Sequence, residues 1–115
     1  MVKTNKDIGK TGEDLSVDYL LNNGFKIIER NYRYKHCEID IIAEKNNCLH
    51  FIEVKYRKTN TYGYPETFVS NNQKERIKKA SDNYIFEKSW EWNISFDIIS
   101  IEENNNSIIF FEDAY

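Results

Sequence analysis

Apolar positions change period several times along the chain, and each change marks an element. Over residues 6–23, Ile8, Leu15, Tyr19 and Leu20 recur at helical spacing. Asn22-Asn23-Gly24 then supplies a stop, because glycine takes the positive φ that ends a helix. Residues 25–34, rich in aromatic and β-branched side chains, read as a strand. Residues 37–43 and 48–57 read as two more, joined at Asn46-Asn47, a pair that tolerates the left-handed backbone of a tight hairpin. Residues 59–70, with Gly63 and Pro65, read as a loop. Ser70 caps a second helix that places Ile77, Ala80, Tyr84 and Ile85 on one stripe. A strand over 96–101, a turn at Asn104-Asn105-Asn106 and a strand over 107–111 complete the pattern. No repeat or Pro/Gly/Ser-rich linker interrupts it, so residues 1–115 are expected to form one domain.

The central hairpin changes character along its faces. Residues i and i+2 of a strand share a face, so Leu49 and Phe51 continue as Glu53, Lys55 and Arg57. On the preceding strand Glu38 and Asp40 share a face with Ile42, and Cys37, Ile39, Ile41 and Ala43 form the other. With Asn46-Asn47 as a two-residue loop, counting back pairs Ile42 with Phe51, Asp40 with Glu53, and Glu38 with Lys55; a longer loop places Asp40 opposite Phe51 and Glu38 opposite Glu53. Facing carboxylates repel, the more so beside apolar Phe51, and a bound cation removes the penalty. All-oxygen ligands suit Mg²⁺ or Mn²⁺ rather than zinc. Lys55 beside such an ion supplies what phosphodiester hydrolysis needs: a Lewis acid, an oriented water and cationic stabilisation of the transition state. The competing reading is an amphipathic hairpin with exposed, routine ion pairs.

Composition narrows the setting. The chain has 115 residues, 40% hydrophobic and 15% aromatic, enough for one compact core. Its N-terminus has no apolar leader and no stretch reaches the length of a membrane helix, so a cytoplasmic protein without membrane association is expected. Cys37 and Cys48 fit neither a redox pair nor a four-ligand zinc site and are expected to be reduced thiols. The net charge is −3, yet cations gather at Arg30, Arg33 and Lys35, at Lys55, Arg57 and Lys58, and at Lys74, Arg76, Lys78 and Lys79. Any one such cluster also reads as a solvated face.

Gly9-Lys10-Thr11-Gly12-Glu13-Asp14, Glu29-Arg30-Asn31-Tyr32-Arg33, Glu38-Ile39-Asp40, Phe51-Ile52-Glu53-Val54-Lys55-Tyr56-Arg57 and Gln73-Lys74, in that order and spacing, closely resemble the bacterial YraN-like family, from Gly9 to Asp113-Ala114-Tyr115. That family is similar in its core to the PD-(D/E)XK restriction-endonuclease-like superfamily and to archaeal Holliday-junction resolvases. The resemblance implies an α/β fold, a restriction-endonuclease-like mixed β-sheet flanked by α-helices. It implies Asp40 and Glu53 as metal ligands with the Val54 carbonyl, Lys55 as the catalytic lysine, Glu13 as an additional acid and Gln73 as a polar residue completing the site. Without it, Glu13 and Gln73 read equally as ordinary helix residues. Where the superfamily has Pro-Asp this chain has Ile39-Asp40, and Cys37 replaces the usual glycine before Glu38.

The expectation is a Mg²⁺- or Mn²⁺-dependent endonuclease acting on DNA, branched or otherwise structured, with Arg33, Arg57, Lys58, Lys74 and Lys78 as nucleic-acid contacts and a homodimer where two strands are cut symmetrically. The alternative is a non-catalytic nucleic-acid-binding or protein-interaction module that retains the fold. Metal-free RNA cleavage would need a His/Tyr/Lys arrangement that the sequence does not assemble. His36 and His50 read as structural or surface residues. Thr61-Tyr62-Gly63-Tyr64-Pro65 reads either as a loop stacking on unpaired bases or as a cover for the core.

Overall fold

The computed structural model describes residues 5–57, 69–102 and 105–115, with side chains from residue 12 onward. Lys58 and the loop Thr61–Pro65 lie outside the described residues. The elements run α1 (Asn5–Asn22), β1 (Lys26–Tyr34), β2 (Cys37–Lys45), β3 (Cys48–Arg57), α2 (Asn71–Lys88), β4 (Asn93–Glu102) and β5 (Ile108–Phe111). The strands form one sheet in the order β1-β2-β3-β4-β5, with β3 and β4 parallel and the other neighbours antiparallel. This is the mixed α/β sheet with flanking helices that was expected.

Local chemistry explains the element ends. Gly24 has φ 84°, its N–H reaches the Leu21 carbonyl, and the Phe25 N–H reaches back to that of Leu20, closing α1 with a left-handed cap whose flanking side chains join one core. Asn46 and Asn47 both take positive φ, as the hairpin requires. Ser70 caps α2, its Oγ accepting from the Gln73 N–H at 3.1 Å. That bond uses the Gln73 main chain and leaves its side chain to reach elsewhere.

Two cores sandwich the sheet. On one face Leu20 and Phe25 pack on Ile41, Ala43, Ile52, Ile99 and Ile101, with Leu15, Val17 and Tyr19 of α1 at the edge. On the other, Ile77, Ala80 and Tyr84 of α2 pack on Ile39, Ile42, Leu49, Phe51 and Ile98. Gly12 lets α1 lie close on β3: a Cβ there would stand 2.6 Å from the Tyr56 ring.

Three expectations about the hairpin are corrected. Ile42 does pair with Phe51, which removes the longer-loop register, but the ladder stops one rung later at Ile41 and Ile52. Asp40 and Glu53 are therefore not a ladder pair, and Glu38 is opposite Arg33 of β1 instead of Lys55. The faces of β2 also exchange at Asp40, because Ile39 belongs to the α2 core and Ile41 to the α1 core. The physical reason is a break in regular pairing around this residue: on β1, between the partners of Ile39 and Ile41, Asn31 takes φ 55°, and on β3 a side chain replaces the next main-chain rung.

Among the described residues, no helix is long and apolar enough to cross a membrane. Cys37 and Cys48 form no disulfide.

Candidate active site

Where the β2–β3 ladder ends, the Val54 N–H donates to Asp40 Oδ2 at 2.8 Å. A strand N–H turned inward needs a partner, and here the carboxylate provides it, which fixes the direction of Asp40. Glu53, one residue before Val54, is 9% exposed and points to the α2 side as the continuation of Phe51. Its Oε1 accepts from Gln73 Nε2 at 2.7 Å, and Gln73 Oε1 accepts from Lys55 Nζ at 3.2 Å. This orientation of the amide satisfies both neighbours, since an ammonium only donates and a carboxylate only accepts. Lys55 Nζ also stands 3.7 Å from Glu53 Oε1. Asp40, Glu53, Lys55 and Gln73 are thus brought together, with Gln73 hydrogen-bonded to both Glu53 and Lys55.

The electrostatics follow from burial. Asp40 is pushed up to about 6, first by desolvation and then by the charges of Glu13 and Glu38, against the Val54 hydrogen bond and Lys55. Glu53 is pushed up to about 7 by desolvation and by Asp40, with Lys55 and Gln73 opposing. Two acids that raise each other in this way titrate together, so the values belong to the pair. The cavity beside them, about 250 Å³, is lined by His36, Glu38, Asp40, Glu53, Gln73, Arg76 and Ile77.

Glu13 reaches this region from α1, ion-paired with Arg30 at 3.5 Å. The Asn31 amide, with its nitrogen facing the acids, lies 3.2 Å from Glu13 Oε1 and 3.1 Å from Glu38 Oε1. Sequence reasoning assigned Asn31 no role. Its signal was an asparagine inside a strand, a residue type that tolerates the left-handed backbone. Arg76 and His36 are also additions to the cavity wall, His36 having been read as structural or surface.

The expected nucleic-acid contacts are dispersed. Arg33 is 75% exposed and 3.4 Å from Glu38. Arg57 ends β3, two residues past Lys55. Lys74 and Lys78 line a separate hollow with Phe96 and Tyr115. His50 takes no part: it is buried on the α1 side, where Nδ1 lies 2.5 Å from Asp97 Oδ2. Asp97 Oδ1 accepts from Ser95 at 2.5 Å and from the Asp113 N–H at 2.8 Å, so this network ties β3, β4 and the residues after β5 together.

Among the described residues no three or more His, Cys, Asp or Glu side chains are grouped as a metal cage. What the site offers is two desolvated carboxylates lining one cavity, a donor set suited to a hard cation that keeps water and substrate oxygens in its shell.

Residues 12–101 match the model of the uncharacterised protein family UPF0102. The chain is 45% identical over 93 residues to a UPF0102 protein of Cytophaga hutchinsonii, covering 81% of this chain and 82% of that one. It is 40% identical over 111 residues to a UPF0102 protein of Flavobacterium psychrophilum, covering 95% and 93%. A UPF0102 protein of Dictyoglomus thermophilum is 47% identical over 98 residues, covering 84% and 83%.

Proposed function

The chain belongs to the UPF0102 family, and from that premise we propose that it is a Mg²⁺- or Mn²⁺-dependent endonuclease of the restriction-endonuclease-like kind, hydrolysing phosphodiester bonds in branched or structured DNA. The observation that carries this reading is that Asp40 and Glu53 line one cavity, with Lys55 joined to Glu53 through Gln73. A module that only held phosphate would gain nothing from two acids that repel it.

Asp40 and Glu53 would hold the ion. The N–H and C=O of a strand residue leave on the same edge, so the Val54 carbonyl faces the gap in which its N–H meets Asp40. The ion's part is that of a Lewis acid on a phosphate oxygen and on water. Lys55 donates to the phosphate as charge builds, and Gln73 holds its ammonium toward Glu53. Water attacks phosphorus, one P–O ester bond breaks, and the departing oxygen leaves with a proton. One site cuts one strand, so symmetric cutting would take a second copy.

The test is cleavage of duplex, single-stranded, flap and four-way DNA and of RNA with Mg²⁺ or Mn²⁺. Wild type is expected to cut at least one DNA form, and Asp40→Ala and Lys55→Ala to lose the activity. Binding without cleavage by wild type, unchanged in Asp40→Ala, would establish a non-catalytic module instead.

A further inference from the structure

The β1–β2 turn and one side of α2 form a groove that the chemistry above leaves unused. The turn is tight enough to force Lys35 to φ 56°, and it displays Tyr34, Lys35 and His36 toward the helix. Arg76, Lys79, Asn83 and Phe86 follow one another along α2 at the three- and four-residue steps that align side chains on a helix. Together they enclose about 630 Å³. His36 and Arg76 also line the carboxylate cavity, so the two spaces share a wall.

Charge and aromatic surface identify the occupant. In a chain of net charge −3, the described residues of the groove lining include three permanent cations, Lys35, Arg76 and Lys79, and one acid, Asp82. Phe86 is 84% exposed, an apolar ring with no core to serve. Lys35 Nζ lies 5.2 Å from the centre of the Tyr34 ring. An exposed Phe86 and a half-buried Tyr34 beside these cations match the stacking faces and phosphate charges of an unpaired nucleic-acid strand. From Arg76 to Phe86 the helix rises roughly 15 Å, a few nucleotides of strand.

We propose that this groove carries an unpaired strand, stacked on Phe86 and Tyr34 and neutralised by Lys35, Arg76 and Lys79, which runs past His36 to the carboxylates. The substrate is then nucleic acid with a single-stranded segment next to the scissile bond. This deepens the nuclease reading and rests on it for the cut, while the groove's binding stands separately.

The experiment measures fluorescence anisotropy of a labelled single-stranded 12-mer, the matching blunt duplex and a duplex with a single-stranded overhang, with Ca²⁺ replacing Mg²⁺, alongside Mg²⁺ cleavage of the same oligonucleotides. Phe86→Ala is expected to weaken single-strand and overhang binding about tenfold or more with blunt-duplex affinity and thermal midpoint unchanged, and Phe86→Trp to restore binding. Unchanged single-strand affinity in Phe86→Ala, an equal loss for blunt duplex, or dimerisation that depends on Phe86 in sedimentation would overturn the groove assignment. Binding through Phe86 without cleavage in Mg²⁺ or Mn²⁺ overturns the nuclease reading alone; cleavage indifferent to Phe86 overturns the groove alone.

Discussion

The carboxylate of Asp40 stands in for a rung of the β-ladder, accepting the Val54 N–H at 2.8 Å where the β2 main chain would otherwise do so. Asparagine at 40 would keep that acceptor and discard the charge; alanine would discard both. Asp40→Ala should therefore lose about 1–3 kcal/mol through the orphaned N–H, and Asp40→Asn should not.

The stability of Asp40→Asn relative to wild type should depend on pH. Asp40 and Glu53 have folded-state values of about 6 and about 7 against ordinary values of 3.8 and 4.5. Between those limits the folded protein binds more protons than the unfolded chain, so their contribution is greatest below pH 4 and is lost as pH rises through 7. Without divalent metal, Asp40→Asn should melt higher than wild type at pH 7.5, with the advantage gone at pH 4. Adding Mn²⁺ at pH 7.5 should raise the wild-type midpoint and leave the variant's where it was. Thermal melts at the two pH values, with EDTA and with Mn²⁺, check this.

Gln73 touches both Glu53 and Lys55, and its loss should disturb both. Gln73→Ala should lower kcat by roughly 10–100-fold, the range for residues that orient a metal site, with a smaller effect on KM. Because the Gln73 hydrogen bond lowers the Glu53 value, its removal should move the acidic limb of the pH–rate profile upward. A profile that falls in height without moving would refute the positioning role.

Among the described residues the buried Tyr115 Oη has no hydrogen-bond partner, and burial, with the nearby charges of Glu53, Asp97 and Asp40, holds the phenol protonated far above its ordinary range. Its ring packs on Phe96, 5.6 Å between centres. Tyr115→Phe keeps the packing and removes an unpaired hydroxyl, so urea denaturation should show equal or greater stability, by up to about 1 kcal/mol.

His50→Ala would leave Asp97 without its imidazole partner in the α1-side core. The expected cost is about 1–3 kcal/mol, the range for leaving a buried polar group short of a hydrogen-bond partner. At temperatures where the variant stays folded, cleavage should match wild type, since the network lies apart from the carboxylate cavity. Denaturation midpoints together with specific activity at low temperature separate the two effects.

Side-chain periodicity and turn chemistry made the strands, the Asn46-Asn47 hairpin and the Ser70 cap legible, because each is decided within a few residues. Glu53 and Lys55 could be assigned a common face for the same reason. The end of the ladder was not legible: counting back from a turn assumes that main chain keeps pairing with main chain, and at Val54 a carboxylate intervenes. Nor does alternation along β2 betray the switch between Ile39 and Ile41, which accompanies the left-handed Asn31 on another strand. Glu38 was given Lys55 as its neighbour because the reading considered one flank of β2 only, and Arg33 lies on the other. The His50–Asp97 pair joins residues far apart in sequence through the parallel β3–β4 contact, which no local pattern encodes.

The tip of the β2–β3 hairpin acts as the ruler for a site several residues away. From Lys45 opposite Cys48 to Ile41 opposite Ile52, every rung repeats the offset set at the two asparagines. Residues could be added symmetrically at the tip without altering where Asp40 meets Val54, whereas one residue removed from either arm would turn the following side chains to the wrong side of the sheet. Length variants confined to residues 41–45 or 48–52 should accordingly be far less tolerated than insertions between Asn46 and Asn47, although none of them touches the chemistry.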